Sequence, residues 1–145
     1  MRLVRATAEQ TSAVTGLALL LWPENTREVL KKDFREVLSS SENAVFLAYD
    51  KETAIGFAQC GLRHDYVEGT CSSPVGYLEG IFVRSENRGR KVASALLGCC
   101  MDWSREQGCT EFASDCELTN TASLRFHLQS GFREANRIIC FVREL

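Results

Sequence analysis

Apolar positions along this chain switch between a period of two and a period near 3.6, and the switches mark its elements. Leu3-Val4-Arg5-Ala6 reads as a short first strand, and Thr7 followed by Glu9-Gln10 as a helix start of the capping-box type. Val14, Leu17, Ala18 and Leu21 then recur at helical spacing up to Trp22-Pro23. Asn25 or Thr26 caps a second helix, with Val29, Leu30, Phe34, Val37 and Leu38 on one face and charge on the other, ending at Ser39-Ser40-Ser41. Residues 44–49 and 54–63 read as hairpin partners around Asp50-Lys51-Glu52-Thr53, Gly56 marking a bulge or a close contact. A polar loop from His64 to Pro74, broken only by Tyr66 and Val67, is longer than a hairpin needs, and such loops more often carry function. A central strand covers 75–83, a long amphipathic helix runs from near Arg90 to about Gln107, and 111–115 is a short strand ending in a carboxylate. A helix over 121–129 stops at Gly131, and Phe132 onward gives two last strands, the final one over 137–142.

Hairpins and crossovers alternate in that order, so the expected fold is α/β (α+β): a mixed sheet with helices on both faces. The 145 residues suit a single domain over 1–145. Open sheets of this kind bind ligands beyond the carboxyl ends of diverging strands. Glu79 and Asp115 would both face that opening if their strands are neighbours.

Charge narrows the partners. With 17 basic against 19 acidic residues, net −2, the chain lacks the basic excess of a nucleic-acid-binding surface but leaves room for a cationic ligand. No apolar run approaches the roughly 20 residues that span a bilayer, and the first ten residues lack a signal-peptide core, so the expected place is the cytoplasm, away from membranes. The seven cysteines show no C-x-x-C spacing and no paired His ligands, and read as small core hydrophobes with no metal role.

Four features point to chemistry. Residues 78–93, LEGIFVRSENRGRKVA, pass from strand through a charged loop into a helix start, where unpartnered N–H groups and the helix dipole favour phosphate oxygens. Arg88, Arg90 and Lys91 add charge there, and Gly89 permits close backbone approach; the ordinary alternative is a charged loop capping a helix. Glu79 interrupts an apolar strand, where an unpaired carboxylate would be expensive to bury, and Gly80 beside it allows a bulge. The ordinary alternative is pairing with an Arg across the sheet. Asp115 and Asn120 fall at a strand end and a helix start, where turn and cap roles compete with ligand contacts. His127 is either a helix-face residue or a proton donor.

Arg88-Gly89-Arg90-Lys91-Val92-Ala93 resembles the acetyl-CoA-binding motif of the GNAT N-acetyltransferase superfamily, Arg or Gln, two residues, Gly, one residue, then Gly or Ala, with Lys91 replacing the central Gly. Leu21-Trp22-Pro23, Arg63-His64-Asp65-Tyr66-Val67, Ser72-Ser73-Pro74-Val75, Leu78-Glu79-Gly80-Ile81-Phe82-Val83, Glu111-Phe112-Ala113-Ser114-Asp115 and Gly131-Phe132 resemble segments of the aminoglycoside 6′-N-acetyltransferases within it. The resemblance implies a GNAT fold whose sheet splays between the fourth and fifth strands. It also implies transfer of acetyl from acetyl-CoA to the 6′-amine of an aminoglycoside. Trp22, Asn25, Tyr66, Glu79, Asp115 and Asn136 would then line the antibiotic site. Ile81, Phe82 and Val83 would pair with the pantetheine arm, Arg88 to Ser94 would hold the phosphates, and Asn120 and His127 would lie on the coenzyme side. Asn136 replaces a carboxylate and Asn25 a His found in relatives, while His127 stands where many GNAT enzymes carry a Tyr. Relatives are often dimers, so a homodimer built on the apolar last strand is expected.

Carboxylates suit a polycationic substrate, steering it from a distance and accepting the proton of the attacking amine. Direct attack in a ternary complex is the expected mechanism, with no acetyl-enzyme on Cys116. The competing expectations are a GNAT enzyme acting on a polyamine or a protein N-terminus, and a coenzyme-binding sensor. G-x-G-x-x-G and G-x-x-x-x-G-K-[ST] are both absent, which disfavours Rossmann and P-loop nucleotide sites.

Overall fold

Alternation along 43–63 places successive side chains on opposite faces of a sheet, and both faces are covered. The computed structural model describes residues 1–145. Its elements are β1 (Arg2–Arg5), α1 (Thr11–Leu21), α2 (Arg27–Ser39), β2 (Asn43–Asp50), β3 (Thr53–Arg63), β4 (Val75–Val83), α3 (Val92–Glu106), β5 (Phe112–Ala113) and α4 (Thr121–Gln129). The five strands lie in chain order, with β1 to β4 antiparallel and β4–β5 parallel. The expected mixed sheet is therefore present, and α3 is the crossover that makes β5 parallel.

One face buries Val45, Leu47 and Phe57 under Val14 and Leu17 of α1 and Leu30 and Phe34 of α2. The other buries Phe46, Ala58, Cys60 and Leu78 under Leu96, Leu97, Cys100 and Trp103 of α3. Local signals agree with these positions: Thr7 and Gln10 form the capping box, on a 3₁₀ turn at Ala8–Gln10 that leads into α1. Thr26 caps α2 by accepting from Val29 N–H.

Several expectations need correction. The long helix begins at Val92, two residues later than expected, because Gly89 (φ 77°) and Lys91 (φ 60°) sit in the left-handed region and cannot continue a right-handed helix. β5 has only two residues, so Asp115 lies beyond the strand. The two strands expected after Phe132 are absent: Ile138, Ile139, Phe141 and Val142 are 69, 81, 90 and 96% exposed, and nothing in the single chain covers them. An apolar run makes a strand only where an edge pairs with it, and no further strand lies along β5. The cysteines also divide: Cys60, Cys100 and Cys109 are core residues, but Cys71, Cys116 and Cys140 fall in connections or the tail and are exposed. No helix is long and apolar enough to cross a membrane.

Candidate active site

β4 and β5 pair only at Gly76 with Phe112 and Tyr77 with Ala113; from Leu78 onward they part. The sheet thus splays between its fourth and fifth strands, leaving the β5-side edge of Leu78–Val83 without a partner strand. On its other edge β4 pairs with β3, Gln59 opposite Gly80 and Cys60 opposite Leu78, so Glu79 is the extra residue of a β-bulge. The bulge turns a carboxylate out of an apolar strand at the mouth of the split.

Glu79 does not stand alone. Arg63, at the end of β3, donates from Nε and Nη2 to Oε1 at 3.2 and 3.0 Å and from Nη2 to Oε2 at 3.0 Å. The pairing with an Arg across the sheet is therefore real. The same guanidinium lies 3.6 Å from the centroid of the Tyr77 ring, and the Tyr77 hydroxyl donates to Asp115 Oδ2. Burial first, and then the hydrogen bond and negative charge of Asp115, push the Tyr77 phenol well above its ordinary value, so it remains a donor. Glu79, Arg63, Tyr77 and Asp115 form one continuous array across the two sides of the split.

Trp22 ends α1 and lies edge-on to Phe57, with ring centroids 6.1 Å apart. Two of its ring atoms lie 2.8 Å from where a Cβ on Gly80 would stand, so Gly80 lets the indole reach the bulge. Asn25 follows in the turn after α1, its N–H bonded to the Trp22 carbonyl. Tyr66 is 76% exposed on the β3–β4 loop, presenting a ring to solvent from an anchored base. That base is Val67, packed with Val75 and Tyr77, together with Glu111, whose carboxylate accepts from Cys71 N–H and Ser72 Oγ. Asn136 donates to Glu68 on the same loop at 2.9 Å.

On the other side of the split, Ile81, Phe82 and Val83 continue the free edge into the loop before α3. No side chain caps the first turn of α3, so the amides following Lys91 are open to an anion. Arg88 Nε donates to the Val83 carbonyl and Arg90 pairs with Asp50 on β2, which fixes the loop. A cleft of about 310 Å³ lined by Leu20, Phe82, Arg84, Ser85, Glu86 and Arg88 opens beside it. Val92 is buried, whereas Ala93 and Ser94 are more open.

Asn120 caps α4, accepting from Ser123 N–H. His127 is engaged at both ring nitrogens: Nδ1 donates to the Ser123 carbonyl at 2.7 Å, and Nε2 lies 2.8 Å from Ser114 Oγ, able to accept from the hydroxyl when it carries no proton and to donate to it when it does. Sequence reasoning missed Ser114 and Tyr77 as site residues and gave Arg63 no role of its own. An Arg, a Ser and a Tyr at strand positions carry no signal without the register.

A bulged strand, a split sheet and an uncapped helix N-terminus beyond it describe an acetyltransferase fold. The sequence profile of the Acetyltransferase (GNAT) family matches residues 14–132, and the chain belongs to that family. Among curated relatives it is similar to an aminoglycoside N(6′)-acetyltransferase type 1 of Salmonella typhimurium, 42% identical over 126 residues and 87% of each chain. It is also similar to one of Acinetobacter baumannii, 35% identical over 146 residues, 100% of this chain and 99% of the relative. Among solved structures, AAC(6′)-Iy in complex with the bisubstrate analog CoA-S-monomethyl-acetylneamine superposes with a TM-score of 0.95 at 37% identity, covering 99% of this chain and 98% of that one.

Proposed function

We propose that residues 1–145, acting as one domain, transfer an acetyl group from acetyl-CoA to the 6′-amine of aminoglycoside antibiotics. The observation that carries this reading is the pairing of an acidic, aromatic-walled groove (Glu79, Asp115, Trp22, Tyr77) with an open strand edge and an uncapped helix across one split. The relatives' named activity and the CoA-bound structures among them support it.

The free edge of Ile81–Val83 receives the amide-bearing pantetheine arm as an added strand would be received. Arg88, Gly89, Arg90 and the first amides of α3, from Lys91 through Ser94, hold the phosphates. Glu79 and Asp115 bind ammonium groups of the sugar, with Trp22, Asn25, Tyr66 and Asn136 around them. In the transfer step the amine nitrogen bonds to the acetyl carbon, the carbon–sulfur bond breaks, and the amine proton passes to Glu79 or Asp115. An ordinary carboxylate, with a pKa near 4, is a weak acceptor from an alkylammonium. Holding the two reactants together therefore contributes more of the rate than proton removal does. His127 serves the leaving thiolate through Ser114: the hydroxyl gives its proton to sulfur and recovers one from protonated His127.

The exposed apolar tail supports a homodimer in which residues 137–142 pair with a second copy. The unpaired cysteines suit the reducing cytoplasm. The test is an amine panel assayed for CoA release, with product analysis at the nitrogen. Kanamycin is expected to be acetylated at N6′; turnover of spermidine but not kanamycin would overturn the reading, as would acetyl-CoA binding without turnover of any amine.

A further inference from the structure

Arg63 holds a position that a substrate ammonium would also choose. Its guanidinium is bidentate on Glu79 and lies over the face of Tyr77, whose hydroxyl reaches Asp115. A carboxylate and an aromatic face together are the usual receptor for an organic cation. The polycationic substrate proposed above and this internal cation therefore need the same atoms of Glu79. Both partners are partly open to water, with 44% of the Arg63 side chain and 32% of the Glu79 side chain exposed. Ion pairs so exposed are weak, and the long side chain has solvent beside it into which it can swing.

We propose that Arg63 is a placeholder cation: it occupies the ammonium subsite of Glu79 in the free protein and is displaced into solvent when the aminoglycoside binds. The proposal deepens the functional reading above and rests on it, since it requires Glu79 to hold the substrate. In the free protein Arg63 satisfies a carboxylate that the bulge has turned out of its strand. For the ligand, displacing this exposed and weak ion pair offsets part of what its ammonium gains at Glu79, so a net gain at Glu79 remains. Further ammonium groups, which a polycation has, add to it.

The experiment is steady-state kinetics with kanamycin at saturating acetyl-CoA for wild type, Arg63→Gln, Glu79→Gln and the double variant, with thermal melts to establish folding. Arg63→Gln is expected to lower the kanamycin KM by about three- to tenfold, the range that an exposed ion pair and a cation–π contact cover. The salt dependence of KM should steepen, because the groove is then more negative. In the Glu79→Gln background, where KM is already raised, removing Arg63 should no longer lower it. A residue that merely braced the strands would raise KM or lower kcat on removal, and Arg63→Lys would rescue it; that result overturns the proposal. An equal fall in KM in both backgrounds also overturns it, since Arg63 would then act by general repulsion. If Glu79→Gln alone leaves KM unchanged while kanamycin is still acetylated, the ammonium subsite lies elsewhere and the placeholder role falls although the acetyl transfer stands; absence of kanamycin turnover in wild type overturns the functional reading itself.

Discussion

At the scale of single residues, the site depends on what is small and what is extra. Glu79 reaches the split because it is the surplus residue of a bulge, and Trp22 packs over the neighbouring Gly80 because that residue has no side chain. Gly80→Ala should push the indole away, destabilising the fold by about 1–3 kcal/mol as overpacking does and raising the aminoglycoside KM more than the acetyl-CoA KM; denaturant melts and two-substrate kinetics check it. Tyr77 carries a pH signature. Its raised folded-state value means that its stabilising contribution is complete below the unfolded tyrosine value near 10 and is lost as pH rises above it. Urea unfolding at about pH 8 and about pH 11 should show a smaller alkaline loss for Tyr77→Phe than for wild type. Glu79 was legible in the sequence because a lone charge in an apolar run is an anomaly. Arg63 and Ser114 were not, because an Arg at a strand end and a Ser beside a turn are ordinary until register and bulge bring them to Glu79 and His127.

At the scale of elements, two connections do the positioning. The loop before α3 carries Lys91 at φ 60°, a conformation that costs a side-chain-bearing residue roughly 1–2 kcal/mol. Lys91→Gly should therefore melt at or above the wild-type temperature, while Lys91→Ala keeps the strain and raises the acetyl-CoA KM by losing charge. The β3–β4 loop is tied down by Glu111, whose carboxyl is held below the usual range by the Ser72 hydroxyl and the Cys71 N–H. With the folded value depressed, this anchor is intact above the ordinary carboxylate range and is lost as pH falls through the lowered value. Glu111→Gln should loosen residues 64–74 at neutral pH, seen as faster amide exchange there, and flatten the acid dependence of that exchange. Strands and helices up to Gln129 were readable from periodicity. The loop's anchor was not, because it joins residues 39 and 40 positions apart.

At the scale of the whole molecule, the apolar run over 137–142 predicted a strand that the isolated chain does not form. The pattern records a face that needs covering, and it does not say which copy covers it. Ile138, Ile139, Phe141 and Val142 are exposed in one short run, and the homodimer proposed above would cover them. Sedimentation should show a dimer for the full chain and a monomer when 137–145 are removed. The account's central claim is that one split in the sheet sorts the two substrates, coenzyme along the β4 edge and cationic sugar against the acids. Measuring acetyl transfer to kanamycin by Glu79→Gln and Asp115→Asn, with both substrates varied, tests it most directly. Loss of a charge-assisted contact should lower kcat/KM for kanamycin by about tenfold or more in each variant and leave the acetyl-CoA KM near wild type. Unchanged rates in both variants, or a change in acetyl-CoA KM alone, would contradict it.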